Sequence, residues 1–373
     1  MRDIPLSQFA IILLIIITLV STLSIETMNV FQSIGVYLST FLIFLAYLSY
    51  GKVTLKFIIY IFVFIFYMII SLYYNSGGIG SVLTFVLAVT SLELLSKIDF
   101  RLIYWKYICP FLAIMIILLF FASFQYNTGQ GFDYNGMVNP NSVAMVSNYC
   151  FGIFLCTQHL RTNKCILGIL GLITLCTTFN CEARGALLAL ISFMALLTVP
   201  NKLLSSKLLL IFSIIIVVIG TLIPFIYLNL YEQNFQLDFM LNKPLFTGRQ
   251  RIWLEAFNLF GNDTWNWILG IGSKVKLWDA ATNLHNLYFT AIVDFGIIGY
   301  LLYFGFIFRF IWHVCMKISS SNEAKKYLFL FISLSLIQGY TETSILNATT
   351  VVLSNFGLAR AYNLLYKEKF NDT

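Results

Sequence analysis

Twelve apolar runs, separated by short polar stretches, organise this chain: 9–25, 30–49, 57–74, 79–96, 107–125, 141–158, 165–180, 185–199, 208–228, 286–312, 326–341 and 346–365. A helix needs about 20 apolar residues to cross a bilayer, so each run reads as a span, with 165–180 and 185–199 on the short side. An even number of spans puts both termini on one side. Most connections are a few residues long, but Gln125–Pro140 is longer and Asn229–Leu284 longer still. The pattern predicts three parts: helices 1–9 over residues 1–228, a large loop over 229–284, and helices 10–12 over 285–373.

Charge tests the count. Cytoplasmic loops of membrane proteins collect Lys and Arg. With the N-terminus inside, seventeen of the 23 basic residues fall at inner ends and loops. Only Arg184, Lys243, Arg249, Arg251, Lys274 and Lys276 fall outside. Composition agrees: 10% of residues are charged and mean hydropathy is +0.85, whereas soluble domains carry about 25% charge. The expected fold class is therefore an all-α integral membrane protein of about twelve transmembrane helices. Once the charges are placed, the net charge of +7 no longer suggests nucleic acid. The first run lacks an obvious small-x-small cleavage site and reads as a retained span. The seven cysteines lie almost wholly in apolar runs without a CxxC, which fits small buried hydrophobes.

The large loop is not poor in hydrophobics. In "FTGRQRIWLEAFNLFGND", Thr247 and Gln250 make a capping-box pattern, and a helix is expected from Gly248 to about Phe260. Trp253, Phe257 and Phe260 would share one apolar stripe, so the loop is expected to lie on the bundle as interfacial helices. Arg249 and Arg251 sit in the first turn, where the helix dipole favours anions. Two cations there suggest an anion held jointly with free backbone N–H groups; solvating an interfacial helix or binding lipid headgroups is an equally good reading of the pair alone. Arg184, in the tight turn of "FNCEARGALLAL", either snorkels, pairs with Glu182, or points into a cavity. Charges at a membrane mouth are functional by default.

His285 opens the run "LHNLYFTAIVDFGIIGYLLYFGF" and is the sole outer member of three histidines. An imidazole there can titrate near neutral pH, donate to phosphate or accept a hydroxyl proton; a helix-start residue bonded to backbone is the plainer alternative. Asp294 lies nine residues on, about 13 Å away on the opposite helix face, and is expected to meet another span's polar group. Gly296 and Gly299 read as packing residues.

The elements "NGMVNPNSVAMVSN", "CEARGALLAL", "TGRQRIW" followed by "LGIGS", and "HNLYFTAIVDFGIIG" occur in the order found in the O-antigen polymerase/ligase superfamily of membrane glycosyltransferases, which the chain resembles from residue 135 to 299. The resemblance implies a GT-C-like bundle with a large periplasmic loop. Its implied chemistry is metal- and cofactor-free transfer from undecaprenyl-diphosphate-linked glycans at the outer face of the bacterial inner membrane. It implies that Arg184 and Arg249 hold the donor diphosphate, with His285 as general base or diphosphate ligand. Arg251 is a weaker donor contact; Asn141 and Tyr288 shape the cavity; Glu342 contacts acceptor sugar or is an interfacial carboxylate. Membrane lipids and a chain-length regulator are the implied partners, and nucleic acid is not one. Ligases often carry serine after the histidine and glutamate before the glycine, whereas this chain has Asn286 and Asp294-Phe295-Gly296; that leans toward a polymerase and leaves a ligase open. A lipid-linked oligosaccharide flippase is the alternative from another class, although no internal repeat supports it.

Overall fold

A computed structural model describes residues 6–23, 25–50, 54–75, 78–98, 102–126, 139–157, 164–200, 204–233, 249–272, 275, 277, 284–343 and 350–366. Within these residues the structure is helical, with no strand. Each of the twelve apolar runs overlaps a helix: α1 (Leu6–Ser21), α2 (Ile25–Tyr50), α3 (Leu55–Tyr74), α4 (Ile79–Lys97), α5 (Leu102–Ser123), α6 (Pro140–Thr157), α7 (Lys164–Asn180), α8 (Arg184–Thr198), α9 (Ser206–Glu232), α12 (Leu287–Lys317), α13 (Asn322–Phe331) and α14 (Val351–Tyr366). The large loop contributes α10 (Arg249–Asn262) and α11 (Thr264–Leu269). Among the described residues, four helices are long and apolar enough to cross a membrane by themselves: Leu55–Tyr74, Ile79–Lys97, Ser206–Glu232 and Leu287–Ser320. Others, such as Lys164–Asn180 and Arg184–Thr198, are apolar but shorter.

The apolar sequence divides its surface between core and exterior. α4 packs between α2 and α14; α13 reaches α14, α6 and α8; and α12 meets α9, α3 and α14. The sequence-level boundary at residue 285 is thus bridged by helix packing. α3 and α9 instead turn Ile58, Phe62, Phe66, Ile211, Ile215 and Val218 outward, the apolar exterior that a bilayer covers and water does not. All seven cysteines are free thiols, and four are buried.

Two departures from regular helix matter. After Phe331 the chain continues as a π-helical segment, Ile332–Ile337, then a 3-10 turn, Gln338–Tyr340. Such wide turns cluster at functional sites. Here the carbonyls of Leu334 and Leu336 accept from the hydroxyls of Tyr149 and Tyr288. The second departure is at Gly296, which serves close packing as expected but does so by breaking the helix. It interrupts α12 at φ 66°, ψ −177°, a region essentially reserved for glycine. A Cβ there would fall on the carbonyl of Ile268, and one on Gly270 would meet Asp294 O at 2.6 Å. The two glycine-bearing segments therefore pack backbone to backbone, with Ile271 N donating to Val293 O at 2.8 Å. Gly299 does act in packing, against Phe295 and Tyr67.

Candidate active site

Four helix starts and one helix end meet at one end of the bundle. Asn141 is the second residue of α6, Arg184 the first of α8, and Arg249 the first of α10; His285 precedes Asn286, the N-cap of α12. Glu342 follows the 3-10 turn that ends α13. N-terminal amides give each of the four starts a partial positive charge, and Glu342 supplies the carboxylate among them. Its Oε1 accepts from Asn141 Nδ2 at 2.7 Å. Arg249 Nη2 lies 3.8 Å from the same oxygen, and His285 Nδ1 lies 3.4 Å from both. Side-chain exposures of 22% for Arg249, 26% for His285 and 12% for Glu342 leave the cluster within reach of a ligand.

Local backbone aims these side chains. α7 ends with Glu182 N donating to Phe179 O and Ala183 N to Thr178 O, a Schellman closure with Glu182 at φ 47° where glycine is usual. The chain can then start α8 at once, with Arg184 at its mouth. Gly185 lets this start close on Thr341, whose side chain occupies the space a Cβ would need, so Arg184 and Glu342 are carried on touching segments. Partial burial is the largest influence on the Arg184 guanidinium and lowers its pKa; the Tyr227 phenol opposes that and Arg249 adds to it. Two arginines within electrostatic reach of each other, at four positive helix ends, and one carboxylate leave room for a further anion.

His285 is the other non-glycine with positive φ among the described residues, at 50°. Such a conformation costs about 1–3 kcal/mol and persists only when its surroundings over-determine it. They do. Trp253 Nε1 donates to Leu284 O at 2.8 Å on one side. On the other, Asn286 Oδ1 caps Phe289 N at 2.8 Å while its Nδ2 donates to Gly220 O and Tyr340 O at 3.2 and 3.3 Å.

The expected stripe on α10 exists: Trp253 and Phe260 are buried, and Phe257 stacks on Phe289 and tilts against Phe225. The helix begins at Arg249, and the capping-box residue Thr247 lies outside the described residues, as do Gly248, Lys243, Lys274 and Lys276. The structure brings Asn141, Arg184, Arg249, His285 and Glu342 together. It does not place Arg251 on the Arg249 face of α10: Arg251 is exposed and lies about 200° round the helix. Nor does Tyr288 line a cavity: it is fully buried against Gly220, its hydroxyl spent on Leu336 O at 2.7 Å. Asp294, expected to meet a polar group of another span, shows no side-chain hydrogen bond or ion pair among the described residues; its contribution is the carbonyl that backs onto Gly270.

Sequence reasoning did not find Trp253 as the clamp on Leu284, the threefold role of Asn286, or the ladder on α3. There Tyr67 Oη donates to Ile268 O or Phe295 O, at 2.9 and 2.6 Å, and Ser71 Oγ to Leu269 O at 2.7 Å. The i, i+4 spacing of Tyr67, Ser71 and Asn75 at the end of an otherwise apolar helix is the signal that marked it.

A family model described as O-antigen ligase matches residues 169–304, a little over a third of the chain. The match takes in Arg184, Arg249 and His285, and leaves Asn141 and Glu342 outside. No curated protein and no solved structure matches. Over residues 169–304, then, this helical chain is similar to the O-antigen ligase family, in agreement with the motifs its sequence shares with the O-antigen polymerase/ligase superfamily.

Proposed function

We propose that this protein is a membrane glycosyltransferase that polymerises oligosaccharide repeat units carried on undecaprenyl diphosphate into O-antigen or capsular chains. The observation that carries the reading is the convergence of Arg184, Arg249 and His285 at helix N-termini around one carboxylate. The bias of basic residues to the opposite ends of the spans supports a site facing the periplasm, with both termini cytoplasmic. No nucleotide is supplied there, so a lipid diphosphate is the donor that fits both the cations and the bilayer.

In this reaction an acceptor sugar hydroxyl attacks the anomeric carbon of the donor glycan. The bond from that carbon to the bridging phosphate oxygen breaks, and its electron pair leaves with the lipid diphosphate. Arg184 and Arg249 stabilise the charge that develops on the leaving group, which is usually the largest electrostatic contribution to such catalysis. His285 Nδ1 faces Glu342, leaving Nε2 to accept the hydroxyl proton.

The family description supports a second reading, an O-antigen ligase that transfers the finished glycan to lipid A-core. Asn286 in place of serine does little to separate the two, because both residues cap helices well. A defined undecaprenyl-diphosphate repeat unit, incubated with membranes and resolved on gels, tests both. A ladder from the repeat unit alone, lost in Arg184→Ala, Arg249→Ala and His285→Ala at matched expression, is expected for the polymerase. Transfer only after lipid A-core is added would make the protein a ligase. No covalent product in either arm would return the chain to the flippase alternative.

A further inference from the structure

We infer that Glu342 is a displaceable counter-ion: it occupies Arg249 in the free protein and is released to His285 when a diphosphate arrives. This rests on the diphosphate-donor reading above and assigns Glu342 a role other than sugar contact.

The carboxylate is held unevenly. Asn141 Nδ2 is at hydrogen-bond distance, 2.7 Å, whereas Arg249 at 3.8 Å and both His285 contacts at 3.4 Å are long. The backbone beneath it is fixed, since Glu342 N donates to Gln338 O at 3.1 Å and Thr341 presses on Gly185. Rearrangement is thus confined to the side chain, tethered at Asn141. The groups that face it are Asn141 from α6, Arg249 from α10 and His285 at the head of α12, with Arg184 from α8 and Tyr227 from α9 one step behind.

A carboxylate with 12% side-chain exposure has lost most of its hydration and needs compensating charge, and Arg249, 3.8 Å away, provides it. A diphosphate carries more charge and more acceptor oxygens, and a guanidinium binds phosphate bidentately. It therefore takes Arg249 from the carboxylate. Glu342 keeps Asn141 and turns its remaining capacity to His285 Nδ1–H, which fixes the tautomer with Nε2 unprotonated and able to accept the hydroxyl proton. Donor loading and base activation become one event, and by linkage each favours the other.

The test uses the full-length protein in detergent at fixed ionic strength, with geranyl diphosphate as a soluble probe and turnover measured in parallel. In Glu342→Gln the competing anion is gone. Binding of the probe should tighten roughly three- to tenfold, the range of a partly screened ion pair, while kcat falls by about tenfold or more. A melting temperature equal to wild type confirms the fold. Asn141→Leu has the opposite sign: it cuts the tether, lets the carboxylate settle on Arg249, and should weaken probe binding about threefold. It decides the matter if Glu342→Gln does not fold. Unchanged or weaker binding in Glu342→Gln, or unchanged or tighter binding in Asn141→Leu, overturns the inference. So does a rise confined to acceptor KM in Glu342→Gln, which is the signature of a sugar contact. If Arg249→Ala binds the probe as well as wild type, the donor reading itself fails. If Arg249→Ala weakens binding while Glu342→Gln does not tighten it, only the counter-ion role fails.

Discussion

The segment between α9 and α12 is joined to the bundle at two places built in opposite ways. At the glycine junction, Ile268–Gly272 lies on the break in α12 through backbone contact and short hydrogen bonds of 2.6–2.9 Å from Tyr67, Ser71 and Ile271. No charged side chain takes part in those bonds. At the charged cluster, one contact is short, and those to Arg249 and His285 run from 3.4 to 3.8 Å. The junction's contacts are short and neutral, backbone to backbone or hydroxyl to backbone, the mark of a fixed frame. The cluster holds cations and a strained histidine in loose contact, as a site that must exchange partners requires. Chemistry belongs at the cluster, and the junction holds the frame that aims it.

That contrast is sharpest when one residue is changed on each side. Arg249→Ala at the cluster should lower turnover by a factor of about 10²–10³ and leave the melting temperature within about 2 °C of wild type, because its contact with Glu342 is long, 3.8 Å, and Asn141 and His285 remain beside that carboxylate. Gly296→Ala at the junction should do the reverse. It forces a side chain into φ 66° and onto the Ile268 carbonyl, costing about 3 kcal/mol or more, seen as a large drop in melting temperature or failure to accumulate. Gly305→Ala, where a Cβ would meet nothing within 4 Å, is the matched control and should be neutral. If Arg249→Ala destabilises as much as Gly296→Ala, the division of labour is wrong.

The two regions also differed in how far the sequence revealed them. Each apolar run holds a described helix, four of them long and apolar enough to cross a membrane, because the length and composition of an apolar run are local properties and polar groups in lipid are costly enough to keep the pattern clean. Arg184, Arg249 and His285 stood out because charge is rare on that side of the chain. Their meeting point did not: Glu342 is reached through a π segment whose width no apolar pattern encodes, and Gly185 shows its purpose only once Thr341 is beside it. Tyr288 misled for a related reason. An aromatic three residues past the histidine reads as site lining, yet Gly220 opens a slot that takes the ring inward to Leu336. The break at Gly296 was invisible because an apolar helix with a glycine looks the same whether or not it bends.

Trp253 links the regions and gives a middle-sized test. Its indole donates to Leu284 O while its ring packs edge-on against Tyr227, so it ties α10, α9 and the approach to His285 together. Trp253→Phe keeps most of the apolar burial and removes the donor. The lost buried bond should cost about 1 kcal/mol of stability. Turnover should fall about tenfold, because a histidine held at positive φ loses one of its two clamps and small displacements of a catalytic group are expensive. Kinetics beside a melting curve separate the two effects: a fall in kcat no larger than the loss of folded protein would mean the clamp serves stability only.

The smallest expected effect draws the edge of the cluster. Arg251 shares the first turn of α10 with Arg249 and was read from the sequence as a second anion contact, yet its side chain is exposed and lies on the far side of the helix. An exposed cation on that side of the helix acts on the site mainly through its field, which salt screens over about a Debye length. Arg251→Ala should therefore change turnover by less than about twofold at physiological salt, with a larger effect at low ionic strength as a long-range charge requires. A loss comparable to that of Arg249→Ala, independent of salt, would mean that Arg251 swings round to grip the donor. The cluster would then be one arginine larger than the free protein shows.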